Sequence, residues 1–490
     1  MSDSLISRLY RSGEKNPASP AIVFERNVVT HGQLRGLVNA CARQLHGFGV
    51  RKGDIVAITM SQSPLHCISL LALARLGAVS VPLFPSWSRP DQAAMIRKFG
   101  VSRVVSDRPV AAFPEVSIHC LQAISATPGE PDFAADDFFP DGDTPLSIAL
   151  TSGTTGAPKG LLRTHAYLLS RVDACMMQMG PGTRMIPPDL HQNIAQIHAI
   201  GAISKGGALV FPASYQLKDM IAAIGFFGVS HLILSPAKAA EMLALLPEQA
   251  GAFPSLTYLR LVGGRPSRSL LESLRARMSL HVTLPYATTE VGVLAYATSD
   301  MLESNPDSTG RPVPWVRIEI VDPEGTPQPA GQRGEIRVAS QLSPGGYFGE
   351  TSGAGGKFRG EWFYPGDFGH FDEAGFLYVD GRSDNVVNVG GHKVTMEYIE
   401  GVLERHASVH EAYVFAVGGG QESPDLIAAI KPGSGFDMAT LQAWCRGALG
   451  VLTPQEFVVA RDIPRTDTGK TKRQELLAQV LARRKTGDAG

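Results

Sequence analysis

Asp54-Ile55-Val56-Ala57-Ile58-Thr59, then Leu70-Leu71-Ala72-Leu73, then Val79-Ser80-Val81-Pro82-Leu83 read as strand, helix and strand, with turns at Lys52-Gly53 and Gly77. Alternation of this kind predicts parallel strands covered by helices. Upstream, Thr30 and Gln33 form a capping-box pair, and Leu34, Leu37, Val38, Cys41 and Leu45 mark one face of the helix that follows. Downstream, Leu146 to Leu150 is another strand-like run. After about residue 300 the pattern changes to short strands, such as Ile318 to Asp322 and Gly334 to Val338, separated by Pro/Gly turns. From about residue 385, the strand-like runs Ala412 to Val417 and Leu426 to Ile430 alternate with helical Thr395 to His406 and Met438 to Leu449. The expectation is a large α/β N-terminal domain, residues 1–383, with parallel sheets, helices and a small β-rich subdomain. A small mobile α+β C-terminal domain, residues 384–490, follows.

At 490 residues the chain exceeds one ordinary core. Its 44% hydrophobic and 19% charged residues describe a globular enzyme, and Lys+Arg 45 against Asp+Glu 46 argue against a broad nucleic-acid or membrane surface. Cys41, Cys67, Cys120, Cys175 and Cys445 lack paired or metal-ligand spacing, so they read as buried, reduced thiols of a cytoplasmic protein. Met1 to Lys15 has no basic-then-apolar leader, which reads against export. Arg75 and Pro82 break the apolar stretch Ile68 to Phe84, so no membrane span is expected.

The richest chemistry lies in Thr151-Ser152-Gly153-Thr154-Thr155-Gly156-Ala157-Pro158-Lys159-Gly160. Its glycines let backbone amides approach an anion, its hydroxyls add uncharged donors, and Lys159 adds a cation. A polyphosphate suits that set better than an inert surface turn does. The P-loop of NTPases needs Gly-Lys-Ser/Thr, whereas Lys159 stands between Pro158 and Gly160.

Further along stand Tyr286-Ala287-Thr288-Thr289-Glu290, Tyr364-Pro365-Gly366-Asp367, Gly381-Arg382-Ser383-Asp384 and Pro464-Arg465-Thr466-Asp467-Thr468-Gly469-Lys470. With the glycine-rich loop, this ordered set resembles the ANL superfamily of adenylating enzymes: acyl- and aryl-CoA synthetases, peptide-synthetase adenylation domains and firefly luciferase. The resemblance spans nearly the whole chain. It departs from the family pattern at Ala287, where a Gly is usual, and at Pro365, where a hydroxyl residue is usual.

The resemblance implies ATP and Mg²⁺ as cofactors. Thr151, Ser152, Gly153, Thr154, Thr155, Gly156 and Lys159 would hold phosphate, Tyr286 would stack on adenine, and Asp367 and Arg382 would take the ribose. Thr289 would contact the α-phosphate region, Glu290 would hold the metal, and Lys470 would bridge ATP and the substrate carboxylate. A hinge is implied at Asp384, and a slot for a pantetheine arm at Gly390 and Gly391. Read alone, Glu290, Asp384 and Lys470 are ordinary surface charges, and Gly390-Gly391 a plain turn.

Pro188-Asp189-Leu190-His191 resembles the segment where acyl- and aryl-activating members place His or an aromatic residue at the pocket entrance. Amino-acid-activating members usually place Asp there. The pocket candidates are His191, Gln192, Asn193, Gln196, Ser235, Val262, Gly263, Gly264 and Pro285. The implied activity is formation of an acyl-adenylate with pyrophosphate release, then transfer to CoA or a discrete acyl carrier protein. A stand-alone amino-acid adenylating enzyme, a luciferase-like monooxygenase and a non-catalytic nucleotide-binding regulator are the alternatives. The acid and the oligomeric state stay open.

Overall fold

The computed structural model describes residues 3–486, apart from 115, 122, 127–132, 134–137, 152–157, 177, 247–252, 279–280, 344–345, 351–355, 384–385, 390–391, 418–424 and 466–470. The strand–helix–strand unit forms as expected. The Ser63 side chain accepts from the His66 amide and Pro64 opens helix Pro64–Leu76, which Gly77 stops at φ 69°. The flanking strands Ile55–Thr59 and Val79–Pro82 pair in parallel. Thr30 and Gln33 make the reciprocal capping box that starts helix His31–Gly47.

This unit belongs to a six-stranded sheet ordered Ser117–Cys120, Arg103–Ser106, Ile55–Thr59, Val79–Pro82, Pro145–Thr151, Lys159–Thr164. All neighbours are parallel except the last pair, an antiparallel hairpin whose final paired residues are Thr151 and Lys159. A nine-stranded sheet carries strands Tyr258–Leu261, His281–Thr288 and Gly292–Thr298 beside one another. Helices Pro64–Leu76 and Asn193–Ser204 are buried on almost every side, as expected of helices packed between layers. One core joins them to apolar residues of both sheets, among them Ile58, Leu146, Leu209 and Leu294. Separate clusters cover the outer faces, with Met220, Met242 and Leu274 on the large sheet and Met95 and Phe99 on the small one.

The expected β-rich region is a second six-stranded sheet that contains Val316–Val321, Gly334–Ser340, Asp367–Phe371 and Leu377–Arg382. Beyond it lie a hairpin, Val386–Val389 with His392–Thr395, and a three-stranded sheet with helices Met396–Leu403, Met438–Leu449 and Arg473–Thr486. This C-terminal part has its own core, centred on Ile399, Val414 and Leu441. It touches the large domain through Arg405 and Asp307 at 2.9 Å and through Arg333 over the Tyr398 ring. Four of the five cysteines are buried and Cys120 is half-buried; all five are free thiols. Among the described residues, no helix is long and apolar enough to cross a membrane.

The interior carries several neutral imidazoles. Burial holds His66 down to about 3 and His165 and His231 down to about 4, and puts His198 well below the ordinary 6.5. Each binds fewer protons folded than unfolded between its folded value and 6.5, so stability rises with pH through that window. His66, His165 and His231 each cost the fold about 2 kcal/mol at pH 5 relative to pH 7. Glu404, pushed up to about 7 by burial, and Glu400, also raised by burial, work in the opposite direction but are outnumbered by the lowered imidazoles. The melting temperature should therefore fall steadily as pH drops from 6.5 to 5. A flat profile over that range would show that these imidazoles already titrate normally in the fold.

Candidate active site

The hairpin of Pro145–Thr151 and Lys159–Thr164 presents the phosphate-loop candidate at its tip. Thr151 is buried and in register with Lys159, while Ser152, Gly153, Thr154, Thr155 and Gly156 lie outside the described residues. Gly160 must be glycine here, because a Cβ would come within 2.4 Å of the Phe99 ring and 2.7 Å of Ile148. The Phe348 amide donates to the Gly160 carbonyl at 2.8 Å, which brings a third segment to the hairpin. On that segment Tyr347 lies under the Lys159 ammonium, 4.5 Å from ring centroid to Nζ. Lys159 also pairs with Glu350 at 3.1 Å, a half-exposed contact that an incoming phosphate can replace at little cost.

Tyr347 connects this loop to Glu290. Its hydroxyl donates to Glu290 Oε1 at 2.7 Å, and Glu290 is only 7% exposed. Burial and the adjacent carboxylate both raise the Tyr347 phenol, so it stays a donor. The Glu290 backbone is held from behind, because its carbonyl accepts from Arg171 Nη2 at 2.6 Å and from the Tyr167 hydroxyl at 3.1 Å. Arg171 Nη1 reaches the Thr289 carbonyl at 3.3 Å. The turn itself is closed by Thr288, whose Oγ1 accepts from the Val291 amide at 3.0 Å.

On the other flank, strands Asp367–Phe371 and Leu377–Arg382 set Asp367 opposite Arg382. Arg382 Nη1 donates to Asp367 Oδ1 at 3.3 Å and to the Pro365 carbonyl at 3.0 Å. The Tyr286 hydroxyl donates to Asp367 Oδ2, so Tyr286, Asp367 and Arg382 form one connected set. Gly366 has φ 83°, and a Cβ there would approach the Arg382 guanidinium to 2.9 Å. Pro-Gly thus supplies the turn that delivers Asp367, which is why the missing hydroxyl at position 365 leaves the carboxylate in place.

The remaining candidates divide. His191 is buried, its Nδ1 is 2.8 Å from Asp189 Oδ1, and its ring meets His66 edge-on at 4.6 Å and Phe84 at 5.5 Å. Burial would raise Asp189, but its hydrogen bonds and charge contact with His191 outweigh that and lower it. Gly263 and Gly264 border open space, where a Cβ would meet nothing within 4 Å. Asn193 and Gln196 are committed elsewhere. Their Oδ1 and Oε1 accept from the buried Arg163 at 2.5 and 2.6 Å, and Gln196 Nε2 donates to the Leu190 carbonyl. Pro285 is half-buried opposite Tyr296. Asp384, Gly390, Gly391 and Lys470 lie outside the described residues. Sequence reasoning missed Tyr347, Arg171 and Arg163. Only Gly345-Gly346 ahead of Tyr347-Phe348 hinted at the first, and nothing local marks the arginines.

The AMP-binding enzyme model matches residues 9–348, and the AMP-binding enzyme C-terminal domain model matches residues 398–470. The chain belongs to the AMP-binding enzyme family. It is a member of the adenylating superfamily that its motifs resemble, an AMP-forming acid–thiol ligase that uses ATP and Mg²⁺. An indoleacetate–CoA ligase from Aromatoleum aromaticum is 25% identical over 96% of this chain and 96% of its own. A fatty acid–[acyl-carrier-protein] ligase from Streptomyces coeruleorubidus is 26% identical, with 96% of each chain covered. The O-succinylbenzoate coenzyme A synthetase of Bacillus subtilis, in complex with ATP and magnesium ion, shares the fold. Its TM-score is 0.83 at 22% identity, covering 96% of this chain and 99% of that one.

The AMP-binding family chemistry can be tested against the side chains present. Among the described residues no group of three or more His, Cys, Asp or Glu could hold a metal alone. Mg²⁺ is commonly held by one or two carboxylates plus substrate phosphates, and a single buried Glu290 next to a phosphate-loop hairpin fits that habit. Asp367 uses two of its roughly four acceptor positions on Tyr286 and Arg382, which leaves capacity for ribose hydroxyls.

Proposed function

We propose that this ligase activates an acyl or aryl carboxylic acid rather than an α-amino acid and passes it to a pantetheine thiol, of CoA or of a discrete acyl carrier protein. The observation that carries the reading is the Tyr347–Glu290 contact beside the Thr151/Lys159 hairpin. It ties the buried Glu290 carboxylate and the Lys159 ammonium to the same side chain, Tyr347. Against an amino acid, Asp189 already pairs with His191 and is not a free receptor for an α-ammonium group. The chain's balanced charge and free thiols accord with a cytoplasmic enzyme.

In the reaction a substrate carboxylate oxygen attacks the α-phosphorus in line and pyrophosphate departs, so like charges must be neutralised and aligned. Lys159 and the backbone of the Thr151 to Gly160 loop hold the leaving phosphates. Thr289 donates toward the α-phosphate, Asp367 and Arg382 fix the ribose, and Tyr286 covers the adenine. Lys470 bridges the attacking carboxylate and the α-phosphate oxygens. Glu290 would hold Mg²⁺, which would supply neutralisation of phosphate charge. Thioester formation then requires the C-terminal domain to turn about Asp384, removing Lys470 and presenting Gly390 and Gly391 to the pantetheine arm.

The decisive assay is pyrophosphate release over aryl, short-chain, long-chain and amino acids, followed by CoA and purified carrier proteins as acceptors. Preference for an amino acid, or failure to form a thioester with either acceptor, overturns the proposal. Asp384→Pro, which restricts φ, should leave adenylation within about threefold of wild type while thioester formation falls roughly tenfold or more. Equal loss of both steps would count against the hinge.

A further inference from the structure

Arg260 is 1% exposed, and among the described residues it has no carboxylate partner. Its Nη1 lies 2.7 Å from His198 Nε2, its Nη2 donates to the Tyr258 and Tyr296 hydroxyls, and its Nε has no hydrogen-bond partner. Arginine only donates, so His198 accepts at Nε2 and its Nδ1 donates to the Ile194 carbonyl at 2.8 Å. Every contact of this cation is therefore neutral. Two other buried guanidiniums of this region also meet only neutral acceptors, and the Arg171 Nε likewise has no hydrogen-bond partner, but both hold parts of the framework around the site. Arg163 has an acceptor at each nitrogen, in Ser147, Asn193 and Gln196. Arg171 holds the carbonyls that carry Thr289 and Glu290.

Strand register places Arg260 on the sheet face that carries two of the acyl-pocket candidates. Arg260 is paired with Thr283 in the parallel ladder, and Pro285 with Tyr296 in the antiparallel one. Side chains alternate along a strand, so Arg260 and Val262 share a face, as do Thr283 and Pro285. That face therefore carries two pocket candidates, Val262 and Pro285, together with the guanidinium and both tyrosines that hold it. Gly263 and Gly264, which border open space, follow directly at the carboxyl end of the strand, where ligands of open α/β sheets bind. His198 belongs to the helix that His191 precedes. A neutral side chain would hold Tyr258 and Tyr296 without the desolvation cost of a buried charge.

We infer that Arg260 is a specificity-determining residue whose uncompensated charge receives a second anionic group on the substrate, so that the acid activated is a dicarboxylic acid. This rests on the acid-activating reading above. The reacting carboxylate faces Lys470 and the α-phosphate, and the distal carboxylate meets the free Nε edge of Arg260. His198, Tyr258 and Tyr296 keep the fork in place.

The test compares linear and aryl dicarboxylic acids with their half-esters and with monocarboxylic acids of equal length, in pyrophosphate release and in calorimetric binding without ATP. The expected result is a kcat/KM at least roughly 100-fold higher for one dicarboxylic acid than for its half-ester. Arg260→Gln should abolish that preference and the calorimetric signal while leaving the KM for ATP unchanged, and Arg260→Lys should restore part of it. Equal use of acid and half-ester by the wild type overturns the inference. So does a uniform loss with all acids in Arg260→Gln accompanied by a lower melting temperature, which is the outcome of a structural role. Pyrophosphate release that occurs only with monocarboxylic acids overturns the inference but keeps the ligase reading. No release with any acid overturns both.

Discussion

Lys470→Ala is expected to slow adenylate formation roughly 100- to 1,000-fold while ATP binding stays within a few fold of wild type. The described residues on either side of segment 466–470 are held in place. Arg465 and Thr471 form an antiparallel bridge, the Lys472 amide donates to the Pro464 carbonyl at 2.8 Å, and Tyr413 holds Thr471 at 2.9 Å. Arg465 is itself anchored on Glu411. In sequence, Lys470 directly precedes Thr471. A lysine that bridges carboxylate and phosphate serves the transition state, where the two approach, more than the ground state, where ATP is already held by other groups. Pyrophosphate exchange and equilibrium ATP binding, measured on the same preparation, separate the two. Near-normal exchange in the variant would refute the assignment.

Glu290→Gln should lower the pyrophosphate-forming rate by roughly 100-fold or more and raise the Mg²⁺ concentration needed for half-maximal rate. The substitution keeps the volume, and the amide oxygen can still accept from the Tyr347 hydroxyl, so the melting temperature should change little. What is lost is the negative charge. The Glu290 carbonyl remains clamped by Arg171 and Tyr167, so the backbone of the turn has no reason to move. A variant with unaltered Mg²⁺ dependence would remove Glu290 from the metal site. The same outcome would leave its buried contact with Tyr347 as a purely structural tie between the loop segment and the turn.

Much of the fold was legible because its signals are local. Ser63-Pro64 and Gly77 delimit a helix by capping chemistry that involves a few residues at each end, and Thr30 with Gln33 does the same for the next helix upstream. The strand runs around them are apolar on both faces because both faces are covered. The pocket was less legible. Asn193 and Gln196 look from sequence like polar lining of an acyl pocket, yet both spend their acceptors on Arg163. Arg163 stands thirty-odd positions earlier, on the strand that leaves the phosphate loop, and no local rule pairs a strand arginine with amides of a distant helix.

The sequence by itself determined the chemistry: a glycine-rich phosphate loop with its lysine, and Glu290, Asp367, Arg382 and Lys470 in an order that belongs to one adenylating superfamily. Those identities depend on which functional groups exist and on short spacings, both of which a linear string records. Only the tertiary structure decided how the groups are joined. Tyr347 bridges 57 positions to reach Glu290, Tyr286 reaches Asp367 across 81, and Arg260 lies among neutral partners drawn from three separate elements. Burial turns those meetings into energies, because a carboxylate or guanidinium withdrawn from water must find its partner in the fold or in the substrate. Whether such a charge is balanced depends on every segment that packs around it.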